Sequence, residues 1–302
     1  MKKIFITGGS SLLSVNLVTI LKKKFNFFLN LHKKNINING TSNTKINLLN
    51  FKQLKKKISK INPHIIIHTA AISNIELCEK NKKKAKLINY QITKNITRIC
   101  CDKNIKLIFI STDHLFSGNK KFYNETSYCN PLNYYSKTKL LSETFIKKKL
   151  KDYLILRTNF FGIGPRYRIS FSDWIINSLK KNKKLFMFKD VFFTPILIND
   201  FVSVLTLLIK KKINGVINIS CGERLSKYDF ALKLAKVFKY NLSLVEPVSI
   251  KNSKLVHRPL DMSLDNSKME NYTGKKTKSI EASLKYLKQL INSKYYKKIK
   301  KI

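Results

Sequence analysis

The stretch MKKIFITGGSSLLSVNL, residues 1–17, carries an apolar β-branched run, Ile4 to Ile6, that stops at Thr7-Gly8-Gly9 and passes into a segment with helical spacing from about Ser11. Strand, tight turn and helix in that order aim backbone N–H groups and a helix dipole at one point, which suits a phosphate, and glycine lets the ligand approach the backbone. In a TGxxGxxG pattern the later glycines would stand at 11 and 14, where this chain has Ser11 and Ser14. Ser14 bears on how closely helix and strand pack. Ser11 stands near the phosphates, which its side chain either crowds or hydrogen-bonds. Alone, the loop reads equally as a cofactor cradle and as a structural turn.

The chain that follows decides the architecture. Apolar strand patterns FNFFLNL (25–31), HIIIH (64–68) and KLIFIST (106–112) alternate with helical patterns, one after Asn50 and a long one through Ala85 to Cys101. Continuous β-branched runs separated by helices predict a doubly wound parallel sheet covered on both faces, an α/β fold of Rossmann type. After YLILRT (153–158) the rhythm loosens: GIGPRYR (162–168) reads as a loop, a helix surrounds Trp174, and a short apolar strand precedes DVFFTPI (190–196). A helix through Phe201, a strand GVINIS (215–220) and helices from Ser226 to Phe238 and from Ser279 to about Ile291 complete the pattern. We expect an NAD(P)-binding domain over 1–158, with sheet elements returning at about 195–220, and a smaller interleaved substrate lobe over 159–302.

Composition narrows the classes. Only Ile4 to Ile6 are apolar behind Lys2 and Lys3, too short for a signal-peptide core, so a cytoplasmic protein is expected. The most apolar later stretch, Val191 to Ile209, contains Pro195 and Asp200, which argues against a membrane span. Five cysteines without CxxC spacing suit a reducing compartment and offer neither a zinc site nor a disulfide framework. His64 and His68 lie four apart on a strand, about 13 Å, too far to share one ion. The net charge of +43 invites a nucleic-acid reading. The texture opposes it, because arginine occurs at only six positions and lysines are scattered over nearly every amphipathic segment, including the terminal KYYKKIKKI (294–302). These are read as solvated lysine faces, with no specific nucleic-acid partner.

The chemistry lies in ISTDHLFSG (110–118) and NPLNYYSKTKLLSE (130–143). Thr112 ends a strand at its C-terminal edge, where α/β sheets place ligands. Tyr135 and Lys139 are four apart on a helix that begins after Pro131, so they share a face. A neighbouring ammonium favours the phenolate, so Tyr135 can exchange a proton with a carbonyl or alcohol oxygen that Thr112 orients. Lys139 would also reach a cofactor ribose. The second strand ends LHKK, and His32 and Lys33 with Lys34 favour a 2′-phosphate, hence NADPH, with NADH as the alternative.

With these residues in view, the chain resembles an extended short-chain dehydrogenase/reductase, close to the dTDP-4-dehydrorhamnose reductase group. The resemblance is carried by IHTAAISNIELCE (67–79), STDHLFSG, PLNYYSKTK, RTNFFG, DVFFTPI, ERLSKYDFA and HRPLDMSLDNSK (257–268). It implies Thr112, Tyr135 and Lys139 as the catalytic residues, and Thr7, Gly8, Ser11, Leu12, His32, Lys33, Ala70, Ala71 and Lys139 as the cofactor-binding set. Asp113, His114, Arg166, Arg168 and Arg258 are expected to bind substrate, the arginines as candidates for a diphosphate. No metal site is expected. Related dehydratases carry a carboxylic acid directly after the Thr-Asp pair; here His114 stands there, which disfavours dehydration. The leading expectation is reduction of the keto group of a nucleotide-linked deoxysugar, with a homodimer as a further partner. An epimerase with retained NAD and a non-catalytic regulatory subunit, like the β subunit of methionine adenosyltransferase, are the alternatives.

Overall fold

A computed structural model describes residues Met1–Ile302. Seven parallel strands form the central sheet: β1 (Lys3–Thr7), β2 (Asn26–Asn30), β3 (Thr41–Thr44), β4 (Ile65–His68), β5 (Lys106–Ile110), β6 (Tyr153–Thr158) and the Gly215–Ile219 strand. Their spatial order is Gly215–Ile219, β6, β5, β4, β1, β2, β3. The order reverses beside β1, and at such a switch point the loops at the carboxyl ends part into a crevice. Every residue of β4, IIIH, is buried, as a strand covered on both faces requires.

On one sheet face Leu54, Ile58, Ile96, Ile99 and Ile146 pack from helices against Phe5, Ile66 and Phe109. On the other, the core of the first helix, Leu12–Leu21, runs without a break into Phe193, Phe201, Phe230, Leu284 and Ile299. The later segments therefore share one core with the sheet. Their own strands are short pairs: Phe160–Phe161 with Ile196–Leu197, Phe192–Phe193 with Leu225–Ser226, and Leu185–Phe188 with Val245–Val248.

Three details depart from the sequence pattern. The predicted long helix through Ala85 is a series, Ile75–Lys80, Lys82–Lys86, a π-helical turn at Leu87–Gln91, and Ile92–Lys103. The polar strand β3, TSNT, gives no apolar signal because it is an edge that pairs with β2 alone. The terminal lysine run is a helix, Lys294–Lys301, that buries Ile299 and hydrogen-bonds the Tyr295 hydroxyl to Asn16, while its lysines remain at the surface or reach Asp173. No helix is long and apolar enough to cross a membrane.

Candidate active site

The loop after β1 is held by three hydroxyls. Gly8 has φ +65, and a Cβ there would stand 2.9 Å from Ala70 Cα, so the turn requires glycine. Ser11 caps the first helix, its Oγ accepting from Ser14 N at 3.1 Å and donating to Ser14 Oγ at 2.8 Å. Both Ser11 Oγ and Ser14 Oγ meet Thr69 Oγ1, at 3.1 and 3.0 Å, and Thr69 Oγ1 donates to the Thr7 carbonyl at 2.6 Å. The side chains that replace glycine thus turn toward the end of β4, and of the first-turn amides Ser14 N is taken by Ser11 while those of Leu12 and Leu13 have no acceptor in the protein. Gly8's close approach to Ala70 and this helix start fit a dinucleotide's phosphates.

The other expected cofactor residues follow the carboxyl ends of β2 and β4. β2 ends at Asn30, whose buried amide brackets the backbone of Ile46, and His32 and Lys33 beyond it are exposed. Lys34 is exposed as well, with its Nζ 5.1 Å from the Tyr167 ring centroid. The Tyr167 hydroxyl in turn donates to the Ser10 carbonyl at 3.2 Å, so the 165–169 loop leans over the cofactor loop. Ala70 and Ala71 follow β4, and the Ala70 amide donates to Thr7 Oγ1 at 3.3 Å.

The proton-transfer residues converge at the end of β5. Asn133 caps the helix Tyr134–Lys149 through Ser136 N, which sets Tyr135, Lys139 and Glu143 on one face, spaced by fours. Thr112 is near enough to favour the Tyr135 phenolate, but burial outweighs it and raises the tyrosine's pKa above the ordinary phenol value, and Asp113 adds to that. Lys139 is buried, donates to the Ile110 carbonyl at 2.6 Å and lies 3.8 Å from the Phe109 ring centroid. Burial pulls its pKa down to about 7 against an opposing pull from Glu143. The lysine was expected to ease the tyrosine's proton; here desolvation governs both groups.

Behind them stand residues the sequence reading missed. Glu143 takes a hydrogen bond from Ser111 and pairs with Arg157 at 2.7 Å, both charges fully enclosed. Asn89, in the π-helical turn, accepts from Ile72 N at 2.7 Å and donates to Thr138 Oγ1 at 3.1 Å, tying the loop after β4 to the tyrosine's helix. His68 links Thr7 Oγ1 at 2.6 Å to Thr93 Oγ1 at 3.0 Å, and burial pulls its pKa down to about 3. A polar residue amid apolar periodicity was the only signal for Asn89 and His68.

Of the expected substrate residues, Asp113 and His114 lie with Tyr135. The Asp113 carboxylate accepts from Asn159 at 2.8 Å and Thr112 at 3.3 Å, and the His114 ring packs edge-on against Tyr135 at 6.3 Å. Arg258 pairs with Glu76 in the Ile75–Lys80 helix, and Arg168 reaches Ser73 in the loop before it at 3.5 Å, so both reach the segment after β4 from the later half of the chain. Arg166 is exposed and makes no ion pair.

The chain is 27% identical over 243 residues to methionine adenosyltransferase 2 subunit beta of Xenopus laevis, covering 74% of this chain and 70% of that one. Among solved structures it is similar to a dTDP-4-dehydrorhamnose reductase of Clostridium acetobutylicum, with TM-score 0.84, 27% identity, and 96% and 100% of the two chains covered. A dTDP-4-dehydrorhamnose reductase of Bacillus anthracis, solved in complex with NADP, superposes with TM-score 0.85 at 23% identity over 97% and 99% of the two chains. The match to the family described as RmlD substrate binding domain spans residues 1–292, and the chain belongs to that family.

Proposed function

We propose that this protein is an NADPH-dependent reductase of the keto group of a nucleotide-linked deoxysugar, with dTDP-4-dehydrorhamnose as the reference substrate and NADH as a second donor. The observation that carries the reading is the meeting of Thr112, Tyr135 and Lys139 at the carboxyl end of β5, beside the glycine turn at the switch point. Thr7, Gly8 and the first turn from Leu12 would hold the dinucleotide phosphates, and Lys139 its ribose. The cofactor, when bound, supplies the hydride that goes to the carbonyl carbon. Tyr135 gives its hydroxyl proton to the carbonyl oxygen, so the C=O becomes CH–OH, and Thr112 holds that oxygen in line. A raised tyrosine pKa keeps the proton on Tyr135 until negative charge develops on the substrate oxygen. Burial of the catalytic end excludes the water that would otherwise compete as proton source.

A regulatory-subunit reading draws on the similarity to methionine adenosyltransferase 2 subunit beta. The enclosed Ser111–Glu143–Arg157 support beneath an intact Thr-Tyr-Lys set favours the enzyme. Oxidation of NADPH with dTDP-4-dehydrorhamnose, followed at 340 nm, tests the choice. Tyr135→Phe should lower kcat about 10²–10⁴-fold; a wild-type protein that binds NADPH yet turns over no keto sugar would overturn the enzyme reading.

A further inference from the structure

The 165–169 loop touches both lips of the crevice. Tyr167 donates its hydroxyl to the Ser10 carbonyl, in the loop after β1, at 3.2 Å, and Arg168 Nη2 reaches Ser73 Oγ, in the loop after β4, at 3.5 Å. β1 and β4 are neighbours in the sheet, at the switch point where a dinucleotide would lie. Between these contacts the loop carries Arg166 and Arg168, both exposed and without an ion pair, the charge that a diphosphate in the crevice would match. The two contacts are long. What keeps the loop across the crevice is the pair of posts on which it stands.

Both posts are held by the terminal helix, Lys294–Lys301. At the first, Asn16 of the helix Leu12–Leu21 is buried, and its Nδ2 donates to the Ile163 carbonyl at 2.9 Å and to the Leu12 carbonyl at 2.8 Å. Tyr295 donates its hydroxyl to Asn16 Oδ1. Acceptors at one end of the amide and a donor at the other fix its orientation, and without the tyrosine hydroxyl the oxygen would be buried and unsatisfied. At the second post, Asp173 Oδ2 accepts from Gly164 N at 2.7 Å and from Ser170 N at 3.3 Å, so one buried carboxylate draws the two ends of the loop together. Lys300 Nζ, 3.2 Å from Asp173 Oδ1, is the cation paired with it. The helix itself is seated on the core by Ile299, so the fold does not depend on these two polar contacts to dock it. It follows residue 292, where the match to the family stops.

We propose that the terminal helix positions the 165–169 loop over the dinucleotide, with Tyr295 and Lys300 as positioning residues, so that the braced loop sets how fast the cofactor leaves. The inference rests on the dinucleotide reading of the crevice. It assigns Arg166 and Arg168 to the cofactor's diphosphate in place of the substrate's, because the loop that carries them meets Ser10 and Ser73.

The test follows NADPH release by nicotinamide fluorescence, alongside digestion by an arginine-specific protease. The chain has six arginines, of which Arg98, Arg166 and Arg168 are exposed. Cleavage after 166 and 168 therefore reports the loop, and cleavage after Arg98, inside the helix Ile92–Lys103, reports general loosening. In the wild type, NADPH should slow the cuts at 166 and 168. Tyr295→Phe and Lys300→Met should each raise the NADPH dissociation rate about fivefold or more and speed those two cuts, with the Arg98 cut unchanged. Lys301→Met, which removes an exposed charge next to Lys300, should match the wild type. A smaller change in dissociation rate, an equal change in Lys301→Met, cuts that rise as much at Arg98, or wild-type cuts that NADPH does not slow would each overturn the proposal. Wild-type protein that does not bind NADPH would overturn the dinucleotide reading itself, and this inference with it.

Discussion

Ser14 and Thr69 place their hydroxyl oxygens 3.0 Å apart, across the gap between the first helix and the end of β4, at a position where a glycine would leave that gap empty. With Ser11 at 3.1 Å from the same threonine oxygen, the loop is tied to the sheet by side chains. The serines therefore serve the loop's shape; Gly9, Ser11 and Ser14 donate their amides within the protein, and the Leu12 and Leu13 amides are left to a ligand.

Restoring glycine at this point should weaken the fold. Ser14→Gly loses a buried hydrogen bond and puts glycine into a helix, which together cost about 1–2 kcal/mol. Urea denaturation monitored by circular dichroism measures the loss, and NADPH affinity should change by less than about threefold. A variant as stable as the wild type would contradict the role assigned to the hydroxyls.

The Glu143–Arg157 pair is enclosed, with side-chain exposures of 0% and 2%. Glu143→Leu alone leaves the guanidinium buried and unpaired and should cost about 3–5 kcal/mol. Glu143→Leu combined with Arg157→Met removes both charges and should recover most of that. The four unfolding free energies of this cycle give the coupling directly.

Lys139 makes stability depend on pH in a definite direction. Its pKa in the folded chain is about 7, against 10.5 ordinarily. Below pH 7 both states carry the proton and the folded state bears the full cost of burying the charge. Between pH 7 and 10.5 the unfolded chain keeps a proton that the folded chain has released, so this residue's contribution to stability improves as pH rises. The unfolding free energy of the wild type minus that of Lys139→Met should increase from pH 6.5 to 9.5; a constant difference would contradict the burial.

His68 acts at the acid end. With a folded pKa of about 3 against 6.5 ordinarily, its neutral form contributes stability that is complete above pH 6.5 and is lost as pH falls toward 3. His68→Gln should flatten that part of the wild-type unfolding profile, as read from urea midpoints at pH 7, 5 and 4.

The parallel sheet was legible because its strands are continuous β-branched runs between helices, and the Tyr135/Lys139 spacing was legible because four residues make one helical turn. What escaped the sequence depends on contacts between distant segments. The edge strand β3 has no apolar face, so only its pairing with β2 defines it.

The measurement that reaches furthest is a fluorescence titration of the purified protein with NADPH and NADH at physiological salt, with ATP as the control for indiscriminate anion binding by a chain of net charge +43. Saturable binding of the reduced dinucleotides, tighter for NADPH and well above ATP, is the result predicted for a working loop at Gly8 and Leu12. Equal binding of all three, or none, would contradict it.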